Sequence, residues 1–209
     1  MKRTVKRVCA AGLVLMAAMA GCGMAGLVDQ SQTGSASFND LHGDGLSGQT
    51  FTAGQDGELV GIRLLVSGAG YTSGPFGSAV RVNLRMVSSN KVVSSSVAAT
   101  GTRAGDGIGH NVPVWIEVLF DQPYHQSAGQ MLAFTITDLS GGGRYGWNNY
   151  GMLTGNPYAG GQQFYSFSTL PLSASNWDMA FETIIVPEPT TLLTFCLGTF
   201  LLRLRINNR

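Results

Sequence analysis

Along most of this chain, apolar and polar residues alternate in short runs that break at glycine, asparagine, aspartate or proline. The clearest run is Ala79–Val87, where Val80, Val82, Leu84 and Met86 take one face and Arg81, Asn83 and Arg85 the other. A period of two over that length predicts a half-buried strand with a wet outer face. Shorter β-rich runs precede it at Gln49–Ala53 and Leu59–Val66, separated by a turn at Gly54–Gly57. Ser89-Asn90 predicts a turn into Lys91–Thr100, whose three serines suit an edge strand. Past a glycine-rich loop at 101–109, Val112–Phe120 is the strongest apolar strand, closed by a turn at Asp121–Pro123. Gln130–Asp138 alternates again, Gln163–Phe167 is a further short run, and Asn176–Ile185 is the closing strand.

No stretch between residues 29 and 188 sustains a 3.6-residue period. The pattern therefore predicts an all-β fold, an antiparallel β-sandwich of jelly-roll type. One domain over 49–185 is the expected unit, since about 140 residues suffice for one such core. Residues 26–48 are rich in Ser, Gly, Asp and Asn with few large apolar side chains, and predict a flexible lead-in. The runs Gln49-Thr-Phe-Thr-Ala53 and Trp177-Asp-Met-Ala-Phe-Glu-Thr183 resemble those of discoidin or galactose-binding-like sandwich domains, which implies the same architecture.

The two ends have a different texture. Lys2, Arg3, Lys6 and Arg7 precede the apolar stretch Val8–Ala20 and then small residues, the order of a secretory signal peptide over 1–25. Ala18-Met19-Ala20 and Gly23-Met24-Ala25 both satisfy the small-x-small cleavage rule. Met19-Ala20-Gly21-Cys22 also resembles a lipobox, which would make Cys22 a lipidated first residue and give a second anchor. At 186–209, Pro187-Glu188-Pro189 holds the chain extended, because each proline lacks an N–H and restricts the residue before it. The thirteen uncharged residues Thr190–Leu202 follow, then Arg203, Arg205 and Arg209. Thirteen is short of the roughly 20 residues of a spanning helix, and a buried terminal segment is the plainer alternative. The three-part order resembles the PEP-CTERM sorting signal of Gram-negative bacteria. That resemblance implies a hydrophobic sorting helix, transient membrane anchoring, and processing by an exosortase-type transpeptidase with this chain as its substrate.

Setting the ends aside changes the charge. Residues 29–188 carry six basic residues against all twelve acids, a formal charge of −6. A mildly acidic domain argues against nucleic acid as a partner, because phosphate contacts need clustered Lys and Arg. Cys9, Cys22 and Cys196 all lie in the end segments, so the exported span offers neither a disulfide, a cysteine zinc site nor a thiol nucleophile.

Three constellations invite a chemical reading. Tyr145, Trp147 and Tyr150 lie among glycines and Asn148-Asn149, and flat rings beside amides suit carbohydrate binding. Packing beneath a long loop is the alternative and the preferred reading for these rings, above all for Trp177, which sits in a strand. Asp40-x-His42-x-Asp44-Gly45 partly matches a calcium loop, but lacks a glutamate at the twelfth position, where Phe51 stands. By resemblance to sandwich modules, Asp40, Asp44 and Asp178 are candidates for a structural calcium; no other cofactor is implied. His42, His110 and His125 sit in no nucleophile or metal motif, and Gly105-x-Gly107-x-Gly109 lacks a strand-to-helix setting. The expectation is a non-catalytic protein of the cell surface or extracellular matrix, associating with exopolysaccharide. The alternatives are a protein-interaction module pairing through Lys91–Thr100, and a small carboxylate-dependent hydrolase using Asp178 or Glu58.

Overall fold

A computed structural model describes residues 26–40, 45–68, 79–88, 92–105, 108, 111–139, 148–167 and 173–188. Among these residues are thirteen strands in two antiparallel sheets, and no helix long and apolar enough to cross a membrane. The first sheet orders β1 (Leu27–Gln32), β13 (Phe181–Pro187), β4 (Gly57–Gly68), β9 (Asn148–Thr154) and β12 (Trp177–Met179). On its flanks β2 (Ser37–Asp40) pairs with β9, and β7 (Val114–Gln126) pairs with β4. The second sheet runs β11 (Ser173–Ala174), β10 (Gln163–Phe167), β3 (Gly45–Thr52), β8 (Met131–Asp138), β5 (Val80–Val87) and β6 (Val93–Arg103).

Alternation explains why these strands have an inside. Val80, Val82 and Leu84 are fully buried while Arg81 is exposed; β8 is covered on both faces, with Ala133 and Thr135 as fully buried as Leu132, Phe134 and Ile136. The two sheets close on one core. Phe51 of β3, Phe134 of β8 and Phe181 of β13 stack in a triangle with ring centroids 5.4 to 6.4 Å apart. Tyr158 meets Phe181 edge-on at 5.2 Å, the geometry that an aromatic quadrupole favours.

Several expectations change. Residues 26–48 are not a loose lead-in: β1 pairs with β13, β2 with β9, and β3 begins at Gly45. The polar composition of β1 reflects its place at the end of its sheet, where it pairs with β13 alone. No turn closes β7 at Asp121–Pro123. The strand continues to Gln126, and Pro123 falls where the β4–β7 register is interrupted between Leu59 and Gly61. Proline is tolerated there because an interrupted ladder asks for no N–H.

Likewise, the predicted loop at 101–109 begins late, because β6 runs to Arg103. Gly101 lets β6 approach β7: a Cβ at that position would run into the Leu119 carbonyl oxygen.

Arg85 is not on a wet face. It is buried, and its guanidinium donates to Thr135 Oγ1 and to the Ser94 and Ser95 carbonyls. The cause is irregular β5–β6 register on both sides of Arg85, which leaves β6 carbonyls for a side chain to satisfy. Burial holds its pKa below the usual arginine value. Met86, expected inside, is partly exposed and accepts a hydrogen bond from the Tyr124 hydroxyl at 2.9 Å.

Candidate functional site

The candidate residues fall into an interior polar group and a group at the exit of the last strand. Asp178 sits on β12, opposite Leu153 of β9, and is wholly buried. Its Oδ1 accepts from Gln49 Nε2 at 2.8 Å and its Oδ2 from the Tyr158 backbone N–H at 2.7 Å. The Gln49 Oε1 in turn accepts from the Met179 N–H at 3.0 Å. Two residues of different sheets thereby satisfy each other, as buried polar groups must. Both Asp178 oxygens are engaged by protein donors, and the side chain acts as a clamp between the sheets. Among the described residues, no group of three His, Cys, Asp or Glu side chains is placed to hold a metal ion.

Tyr150 departs from the carbohydrate reading. Only 1% of it is exposed, and its hydroxyl accepts from Gln163 Nε2 at 2.8 Å and from Asn39 Nδ2 at 3.2 Å. A ring enclosed between β9 and the opposite sheet cannot stack on a sugar arriving from solvent. The sequence places Tyr150 in a glycine-rich aromatic stretch, but the residue belongs to β9, which pairs with β4 through Val66. Tyr145, Trp147, Asp44, Cys22 and Pro189 lie outside the described residues, as do His42, His110 and the tail 190–209. The Asp40 backbone pairs with Asn149 at the end of β2.

Tyr158 is enclosed over Phe181 and donates its hydroxyl to Gln30 Oε1 at 2.9 Å. Burial pushes its pKa up to about 12, with the nearby Asp29 and Asp178 adding to the rise and a backbone contact to Thr52 opposing it.

The exit group was not legible in the sequence. Pro187 is the last residue of β13, buried and opposite Gly57 on β4. One rung back, Val186 faces Glu58, and Glu58 faces His125 of β7. His125 Nδ1 stands 3.3 Å from Glu58 Oε1, and its Nε2 stands 3.6 Å from Glu188 Oε1. Glu58 and His125 are 67 positions apart in sequence, and only the β4–β7 register joins them. Glu58 and Asp178 do not share a rung: Glu58 lies opposite Val186, eight positions along the chain from Asp178.

No family model and no curated protein matches the chain. Among solved structures, it is similar to two crystal structures of a CocE/NonD family hydrolase from Staphylococcus aureus. They are 14% and 12% identical over 70% and 78% of this chain, with TM-scores of 0.32 and 0.34. The matches span 34% and 37% of those structures, so this chain accounts for about a third of their length. Overlap at that level carries no argument about activity.

Proposed function

We propose that this chain is a non-catalytic, exported protein of the cell surface or extracellular matrix, sorted through its 186–209 segment by an exosortase-type transpeptidase. The part that stays outside is a single sandwich of jelly-roll type. The observation that carries this reading is where β13 ends. β13 forms its final ladder pair at Pro187, so the described sheets finish where the Pro-Glu-Pro tripeptide begins. A transpeptidase acting beyond that point would leave every strand in place.

Residues 1–25 supply the export signal in this reading, with Cys22 as a lipidation candidate, and Thr190–Leu202 supplies a transient membrane anchor. The acidic domain binds no nucleic acid. Association with exopolysaccharide then rests on Tyr145 and Trp147, since the Tyr150 ring is enclosed. A second reading, a protein-interaction module, is favoured by β6. It is the terminal strand of its sheet, and residues 95–98 are exposed.

The test is the intact mass of protein recovered from the cell surface, for the natural chain and for Glu188→Ala/Pro189→Ala. Pro187 is spared because it belongs to β13. A mature form ending near residue 188, lost in the variant, supports sorting, and the same spectrum reads any lipid on Cys22. A full-length C-terminus in both proteins would discard the reading.

A further inference from the structure

The sorting tripeptide and the last strand share residues. Pro187 is at once the first residue of Pro-Glu-Pro and the last rung of β13. It is held close: a Cβ on its partner Gly57 would lie 2.7 Å from the Val186 carbonyl oxygen and 3.1 Å from the Pro187 Cα. The next residue, Glu188, is half-buried and points its carboxylate at His125. A peptide-cleaving enzyme takes its substrate as an extended, unpaired chain. Pro187 must therefore leave the sheet, and Glu188 its contact with His125, before a transpeptidase can close on the tripeptide.

We infer that the folded domain latches its own sorting motif, and that His125 is the positioning residue that retains Glu188. This rests on the sorting reading proposed above. The charged groups facing His125 are Glu58 from β4 and Glu188 from the segment after β13, one at each ring nitrogen. His125 thus stands between the two carboxylates and bridges β4 to the segment after β13, its Nδ1 3.3 Å from Glu58 Oε1 and its Nε2 3.6 Å from Glu188 Oε1. All three side chains are partly exposed, so the contact is worth little in global stability and acts only on local fraying of the strand end.

The experiment follows processing of the full-length chain in cells by pulse-chase and intact mass, for the natural protein, His125→Ala and His125→Lys. Deuterium uptake of a peptide covering 184–189 is measured on each purified precursor. His125→Ala is expected to speed both uptake and processing about two- to fivefold, a size in keeping with one exposed ion pair. The melting temperature should not change. His125→Lys, which keeps a donor beside Glu188, should keep uptake low. Unchanged uptake in His125→Ala would show that His125 does not retain Glu188 and would overturn the inference. Faster uptake with unchanged processing would also overturn it, while leaving sorting intact. Absence of processing in the natural chain itself would remove the sorting reading, and the inference with it.

Discussion

The Gln49 amide donates to the Asp178 carboxylate across 2.8 Å, and neither side chain is exposed at all. One comes from β3 and the other from β12, so this hydrogen bond ties the two sheets together from within. Asp178→Ala removes an acceptor from two buried donors, Gln49 Nε2 and the Tyr158 N–H. A loss of roughly 3 kcal/mol is expected, from the cost of leaving buried donors unpaired. Asp178→Asn should recover only part of it, because an amide offers one acceptor where two donors wait. Urea unfolding monitored by Trp fluorescence measures both; equal midpoints for the alanine variant and the natural protein would refute the clamp.

Tyr158 predicts an alkaline limit to stability. Its hydroxyl ionises at about 12 in the fold, against 10.0 for an unperturbed tyrosine. The folded state thus holds this proton more tightly than the unfolded state. Its contribution to stability is complete below pH 10 and is lost as pH rises through about 12. Melting temperatures between pH 9 and 12 should fall steeply in the natural protein. In Tyr158→Phe the drop should be shallower, and an unaltered slope would count against the assignment.

Arg85 fills an interruption between β5 and β6. Arg85→Ala strips Thr135 Oγ1 and two β6 carbonyls of their donor and should cost about 2 kcal/mol. Arg85→Lys should recover little, since an ammonium lacks the fork of a guanidinium. Amide exchange across 93–98 gives the local reading and should rise in both variants.

Gly101→Ala tests the approach of β6 to β7. The new methyl would meet the Leu119 backbone, which cannot rotate away as a side chain could. Overpacking of this kind costs roughly 1–3 kcal/mol. A melting temperature within a degree of the natural protein would mean that the strands can part without penalty.

For the aromatic residues, Tyr150→Phe and Trp147→Ala should separate packing from binding. Tyr150→Phe leaves Gln163 Nε2 and Asn39 Nδ2 without their hydroxyl acceptor, and should lower stability by about 1–2 kcal/mol. It should leave any affinity in a polysaccharide panel unchanged. If glycan binding exists, Trp147→Ala should weaken it; loss of binding in Tyr150→Phe at full stability would reverse the assignment.

Sequence alone determined the material of the fold. The period-two run at 80–84 fixed which side chains face inward, because a strand has only two faces and burial selects between them; at 132–136 both faces are covered, and Ala133 and Thr135 are as enclosed as Phe134. Chain order also marked off the end segments, since charge and apolarity can be counted without coordinates. Long-range pairing decided the rest. Residues 27–40 carry no strong apolar signal and become strands only because β13 and β9 offer them unpaired backbone. Arg85 reads as a surface cation until irregular pairing on β6 closes over it. Tyr150 reads as an exposed ring until β9 carries it into the core. His125 has no local motif, yet the β4–β7 and β13–β4 registers place it between Glu58 and Glu188. Side-chain alternation is local and visible in sequence. Register between strands dozens of residues apart is chosen by the packing of the whole core.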